Sequence, residues 1–317
     1  NGAMTVAQRG VSSTTNGYGS VDRFYVGYNA VQEAPTQAQA DISAGTTPYT
    51  LGFRKSLKIT NGNQTSGAGA GEYIFINMPQ EAQNLATSGW NYKSSSSFIT
   101  LSFWIKSSVA QNFFFQFDIR DGTRQNYTME TGSLTADTWT KITKVIPGNS
   151  NLTIDNDNGV GAYVTFGVFW GTNYTASMSL ETWGAANDSV KTPDNPTNWY
   201  NTNDATLEFT GVQLEVGDTA TSFEHRTFVD ELLRCQRYYY QVGGQTNDGQ
   251  PDEPYGVLLP MAMCASATRV KGILHHPVNM RTGPTLSGGG SGTCAIQQGD
   301  NTPNSTLVYQ NGWSGSN

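Results

Sequence analysis

The sequence predicts an all-β protein: an antiparallel jelly-roll sandwich, one short connecting helix and a second, small β domain. Three observations carry that expectation. Apolar and polar residues alternate in run after run, the period of a half-buried strand. Turn-forming clusters separate the runs with no helical crossover between them, as in antiparallel sheets. A single stretch near Leu232 shifts to helical spacing.

The strands follow in order. VDRFYVGYNA (21–30) and FRKSLKIT (53–60) come first. EYIFINM (72–78) sets Tyr73, Phe75 and Asn77 on one side and Ile74, Ile76 and Met78 on the other. FITLSFWIKS (98–107) is apolar on both faces, as a central strand of a sandwich is, and this pattern predicts that Trp104 is a core residue. FFFQFDIRD (113–121), RQNYTMET (124–131), TWTKITKVIP (138–147, with Trp139 also expected in the core), YVTFGVFWG (163–171) and ATLEFTGVQLEVG (205–217) complete the set. Between them lie NGNQTSGAGAG, PGNSN, DNDNGVG and DNPTN, whose Gly, Asn, Asp and Pro are turn formers. No internal repeat is evident.

In SFEHRTFVDELLRCQRYYYQ (222–241), Phe228, Leu232, Cys235 and Tyr239 fall near helical spacing. Thr227 is the expected N-cap and Asp230, three residues on, completes an approximate capping box. The helix is expected over about 227–239, ended by Gly243 and Gly244. The predicted organisation is a sandwich over 1–225, a connecting helix over 226–242 and a Gly-rich small β domain over 243–317. A unit that small buries little surface and is expected to lean on a neighbour or another copy.

Composition narrows the function. Of 317 residues, 37% are hydrophobic and 14% charged, below the globular averages of about 45–50% and about 25%. An aromatic content of 11% excludes a disordered chain. Asp and Glu outnumber Lys and Arg 25 to 18, for a net charge of −7, so nucleic acid is not an expected partner. No apolar run approaches a membrane span, and the first residues lack the charged and apolar regions of a signal peptide. Three cysteines, Cys235, Cys264 and Cys294, show neither disulfide-framework nor zinc spacing, and buried free thiols are expected.

The residues offer little catalytic chemistry. His225 stands in FEHR without a nucleophile motif and reads as a hydrogen-bonded joint; His275 and His276, adjacent, point to opposite faces of a strand. The pairs Asp118/Asp121, Asp155/Asp157 and Asp252/Glu253 are the candidates for glycosidase carboxylates, and none is compelling. Asp155 and Asp157 in LTIDNDNGVG are weak structural-calcium candidates, against a plain Asx turn, since the distal bidentate Glu of an EF-hand is missing. No other cofactor is expected. Several aromatics stand in loop-like settings beside Asn, Asp and Gln: Trp90, Tyr92, Trp170, Trp183, Trp199 and Tyr200. Such rings either stack on the apolar C–H faces of sugars or pin long loops onto the sandwich.

Several segments resemble phage tail-fibre and minor virion structural proteins: NGAMTVAQRG with VDRFYVGYNA, GFRKSLKIT, ITLSFWIKSS, TWTKITKVIPG and, above all, LEFTGVQLEVGDTATSFEHRTFVDELLRCQRYYYQ. PVNMRTGPTLS (277–287) resembles the small β unit that often follows in that family, and the order is kept over nearly the whole chain. The resemblance implies a carbohydrate-binding-like jelly roll on a virion appendage of the marine and cyanobacterial tailed-phage type, with no catalytic residues. The chain opens mid-module and ends at WSGSN without the usual closing strands, so attachment segments are expected to be missing. The expected role is a tail fibre or receptor-binding appendage contacting host-surface glycans. The alternative is a head decoration protein or capsid fibre of the same particle. Expected partners are other virion proteins and further copies of the chain as a homotrimer, with Tyr238, Tyr239 and Tyr240 as contact candidates. The protein would fold in the bacterial cytoplasm and reach the particle surface.

Overall fold

Alternation at period two leaves each run with one apolar face, and the chain buries those faces by laying two sheets together. The computed structural model describes residues 1–240, 262–266, 269–272, 276–283, 295–297 and 303–306. The chain divides into two units, residues 1–240 and 241–317. The first contains β1 (Ser12–Ser13), β2 (Tyr25–Asn29), β3 (Thr36–Asp41), α1 (Thr47–Thr50), β4 (Lys55–Thr60), β5 (Tyr73–Glu81), α2 (Ala82–Ala86), β6 (Phe98–Ser107), β7 (Phe114–Ile119), β8 (Gln125–Glu130), β9 (Thr140–Pro147), β10 (Val160–Trp170), β11 (Trp183–Ala185), β12 (Thr206–Val216) and α3 (Phe228–Gln236).

Two six-stranded antiparallel sheets result. Sheet A runs β1-β3-β4-β12-β6-β9, and sheet B runs β11-β8-β7-β10-β5-β2. The core between them is the alternate residues of the runs: Leu57 and Ile59, Leu101 and Phe103, Leu207 and Phe209 from sheet A, and Ile74 and Ile76, Phe115 and Phe117, Val164 and Phe166 from sheet B. Phe103 meets Phe115 and Phe166 edge-on, with ring centroids 5.1 and 5.0 Å apart, the arrangement the aromatic quadrupole favours. In β12 the register shifts between Thr210 and Gln213, with Gly211 at φ +62°. This bulge turns Val212 inward, and a Cβ on Gly211 would lie 2.7 Å from the Phe53 ring.

Trp104 and Trp139 correct the core expectation. Both are half-buried. Phe103 and Ile105 face the core, so the parity of β6 sends Trp104 outward with Ser102 and Lys106. The Lys106 ammonium sits 5.2 Å above the Trp139 ring on that same outer side.

Helix α3 forms where the spacing predicts, over Phe228–Gln236, and belongs to the first unit. The Thr227 hydroxyl accepts from the Asp230 N–H at 3.3 Å. Thr227→Ala is expected to cost about 1 kcal/mol of unfolding free energy, read from a urea titration. Cys235 is buried against the sandwich, and burial pushes its thiol up to about 12. Beyond the helix, Arg237 donates from Nε and Nη2 to the two oxygens of buried Glu81, each at 2.8 Å. The Tyr238 hydroxyl bonds the same carboxylate. The guanidinium of Arg23 lies 3.4 Å from the Tyr238 ring centre, and that of Arg9 3.5 Å from the Tyr239 ring centre. Of the oligomer-contact candidates, Tyr238, Tyr239 and Tyr240 are all half-buried, with the rings of Tyr238 and Tyr239 engaged within the chain. The helix instead shows Phe228, Val229 and Leu233 to solvent.

The described residues of the second unit form two antiparallel hairpins, β13 (Ala262–Ser266) with β14 (Arg269–Gly272) and β15 (Ala295–Gln297) with β16 (Pro303–Thr306). Asp252, Glu253, His275 and Cys294 lie outside the described residues.

Candidate functional site

The face of sheet B turned away from the core carries a cluster of aromatic and amide side chains. On β5, Ile74 and Ile76 point inward, which turns Tyr73, Phe75 and Asn77 outward. Phe75 pairs on one side with Gly27 of β2 and on the other with Gly167 of β10. Each glycine is a gap in the side-chain layer that a ring fills. A Cβ on Gly27 would fall 2.3 Å from the Phe75 ring, and one on Gly167 would fall 2.6 Å from the Trp170 indole nitrogen. Both rings can thus approach the sheet surface closely.

The rings are nearly parallel. Phe75 and Trp170 have centroids 5.5 Å apart at 7°, and Tyr25 and Phe75 are 6.2 Å apart at 21°. Tyr73 touches both Phe75 and Trp170, and Tyr174 closes the group edge-on to Tyr73 at 5.2 Å. Burial, then the neighbouring Tyr174 and Tyr25, push the Tyr73 phenol above its ordinary value, so it remains a neutral donor and acceptor at physiological pH. The next row along the strands is polar: Tyr25, Asn77, Thr165, Gln116 and Thr128 stand side by side. Thr165 donates to the Asn77 side-chain oxygen at 2.6 Å. A further row holds Tyr163, with the Arg120 guanidinium 5.2 Å from its ring centre, and Asp118, whose Oδ2 accepts from Arg120 and Arg124, both at 2.9 Å.

The long segment after β10 covers part of this face. Its Lys191 carbonyl accepts from Gln116 at 2.5 Å, and Asp188 accepts from Arg124 at 3.1 Å. Lysine 191 and Arg124 hold the Asp188 carboxyl at about 2. Flat aromatic rings beside amide and hydroxyl groups can stack on the C–H face of a sugar and bond its hydroxyls.

The aromatics singled out by sequence fare unequally. Trp170 belongs to the outer face of sheet B, although its own ring is largely covered. The others take the second of the two readings and pin loops onto the sandwich. Trp90 is buried against Phe117, and Tyr92 is half-buried with its hydroxyl 3.4 Å from the Ile154 carbonyl. Trp183 pairs with inward-facing Tyr127 and donates to the Pro147 carbonyl at 2.7 Å, closing one side of the sandwich. Trp199 and Tyr200 are fully buried. Loop position does not imply exposure when the loop plugs the open end of a sandwich. Tyr25, Tyr73, Phe75 and Tyr174 were missed as binding candidates. The available signal was the outward parity of Tyr73, Phe75 and Asn77, together with Gly27 and Gly167 inside strands.

The remaining candidates are structural in their contacts. His225 bonds the Leu51 carbonyl at 2.8 Å and packs on Phe53 and Phe223. Asp121 accepts from the Asp155 N–H at 2.9 Å, and Asp157 accepts from the Gly159 N–H at 2.8 Å in an Asx turn. Among the described residues no three His, Cys, Asp or Glu side chains are grouped as a metal site requires.

The chain matches no protein-family model, and no curated protein sequence is similar to it. Among solved structures, a family 11 carbohydrate-binding module from Clostridium thermocellum, in complex with a β-1,3-1,4-mixed-linked tetrasaccharide, is 12% identical, with 68% of this chain and 98% of that one covered and a TM-score of 0.29. A putative sugar-binding protein from Bacteroides thetaiotaomicron is 10% identical over 61% and 87%, at TM-score 0.33. The enzymatically active domain of bacteriophage CBA120 tailspike protein 4 is 9% identical over 65% of this chain and 22% of that one, at TM-score 0.35. Identities and TM-scores this low assign no function.

Proposed function

We propose that this chain is a non-catalytic glycan-binding structural protein of a tailed-phage virion, a tail-fibre or receptor-binding appendage that contacts host-surface glycans. The observation that carries the binding half of this reading is the row of near-parallel rings, Tyr25, Phe75 and Trp170, set beside the Asn77–Thr165 pair on the outer face of sheet B. The phage half rests on the run from Leu207 to Gln241 and its resemblance to virion appendages. In this reading the chain forms a homotrimer, because repeated weak contacts to a cell surface multiply into useful avidity. Binding proceeds without turnover in this reading: Asp118, beside Tyr163 on the same face, is tied to two arginines.

The test is an array of bacterial lipopolysaccharides, capsules and exopolysaccharides probed with the whole chain. At least one is expected to bind, with no release of reducing ends. Phe75→Ala is expected to lower affinity for it about tenfold, or about 1–2 kcal/mol, measured on protein whose circular dichroism shows the sandwich folded. No binding across the array would overturn the reading. Immunogold labelling of virions separates the two locations. Label at the tail tip supports adhesion, and label spread over the head makes the protein a decoration protein or capsid fibre.

A further inference from the structure

We infer that the bound glycan is a linear, uncharged chain lying along β5 and β10, parallel to the strands, with the segment after β10 as the wall that sets this direction. The inference rests on the glycan-binding reading and deepens it.

The outer face of sheet B divides into a sealed half and an open half. On β7 and β8 the outward residues are Gln116, Asp118, Asn126 and Thr128, since Phe115, Phe117, Tyr127 and Met129 face the core. An outward residue of a surface sheet is ordinarily accessible. These four are 4%, 8%, 7% and 1% exposed. The stretch from Asp188 to Thr192 lies against them: the Lys191 carbonyl accepts from Gln116 and Thr128, Asp188 accepts from Arg124, and Thr192 is itself fully buried.

On β2, β5 and β10 the outward residues Tyr25, Tyr73, Phe75, Asn77, Tyr163 and Thr165 remain half-exposed. Three strands make this strip about 10 Å wide. From the level of Tyr73 to that of Pro79, which pairs with Tyr163, it runs about 20 Å. Its long axis therefore follows the strands. A chain crossing them would follow the row Tyr25–Asn77–Thr165 and then meet Gln116 and Thr128 under the wall.

Chemistry along the strip fits an uncharged ligand. It begins with Tyr73 beside Trp170, continues over Phe75 to the Asn77–Thr165 pair and ends at Tyr163. None of these side chains carries a formal charge. Cations stand only at the far end: Arg120, engaged by Asp118, and Arg23, which donates to the Pro79 carbonyl. A polyanionic glycan would find no counter-charge over most of the length.

The test is titration calorimetry of the whole chain with linear gluco- and manno-oligosaccharides, from disaccharide to hexasaccharide, on wild type, Tyr73→Ala and Tyr163→Ala. A chain along the strands touches both ends, so each variant is expected to lower hexasaccharide affinity at least fivefold and to reduce disaccharide affinity by less. Tyr163→Thr, which keeps a strand-forming residue, repeats the far-end test should Tyr163→Ala misfold. If the far-end variants bind the hexasaccharide as wild type does while Phe75→Ala still weakens it, the direction is overturned and glycan binding stands. If wild type binds none of these oligosaccharides but binds a polysaccharide of the array, the uncharged linear ligand is overturned and glycan binding again stands. Silence in both experiments overturns both.

Discussion

Trp199→Ala is expected to lower the unfolding free energy by about 3–5 kcal/mol while leaving the glycan affinity of the folded fraction unchanged. The indole is fully buried at one end of the sandwich. Its backbone N–H donates to Gln111 at 2.8 Å, and the Asn61 amide binds the neighbouring Tyr200 and Thr202 carbonyls at 2.7 and 3.1 Å. The Tyr200 ring stacks on Phe169 with centroids 4.1 Å apart, and burial followed by the nearby Glu72 pushes its phenol upward. Truncating the indole leaves a cavity among groups whose positions it fixes, and a domain of total stability near 5–15 kcal/mol loses a large share of it. Urea unfolding followed by circular dichroism reads the effect. Unchanged stability with lost binding would return Trp199 to the list of ligand contacts.

That result bears on how far the sequence can be read. Strands with Val, Ile and Phe on one parity were legible, and β6, predicted over 98–107, spans Phe98–Ser107. β3 was not, because its inward residues are glutamines: Gln37 is 1% exposed, with its amide bonded to the Thr15 and Gly17 carbonyls. No hydrophobic pattern announces a strand whose core-facing side chain is satisfied by distant backbone groups. The candidate site failed for a related reason. Composition marks a ring in a polar loop as exposed, yet Trp199 and Tyr200 sit in DNPTNWYNTND and are core. Tyr73 and Phe75 lie in an ordinary strand, and only sheet pairing shows that glycines flank Phe75 on both sides. Pairing between residues 27, 75 and 167 is tertiary information. Capping, by contrast, is local, and Thr227 and Asp230 were readable as they stand.

Glu81→Gln is expected to cost about 3 kcal/mol and to flatten part of the acid sensitivity of the fold. Burial by itself raises the Glu81 carboxyl, but hydrogen bonds from Arg237, Tyr238 and Gln83, with the Arg237 charge, outweigh it and hold the group at about 2 against an ordinary 4.5. A carboxylate with a depressed folded value binds fewer protons folded than unfolded. Its stabilisation is therefore complete above about pH 4.5 and is lost as the pH falls toward about 2. Other carboxylates contribute to acid unfolding in both proteins, so the informative quantity is the stability difference between wild type and variant, which should shrink across that window. The amide also leaves Arg237 without its anionic partner and loosens one of the contacts that hold Tyr238 and the end of α3 at β5. Cys235 reports this directly. Its thiol is buried while α3 is docked, so in a background with Cys264→Ser and Cys294→Ser its reaction with a thiol reagent should quicken at least tenfold in the Glu81→Gln variant. Equal rates at neutral pH would mean that α3 is held by its other contacts, buried Glu231 and Cys235 among them, and that the Glu81–Arg237 pair sets only where the segment after the helix lies.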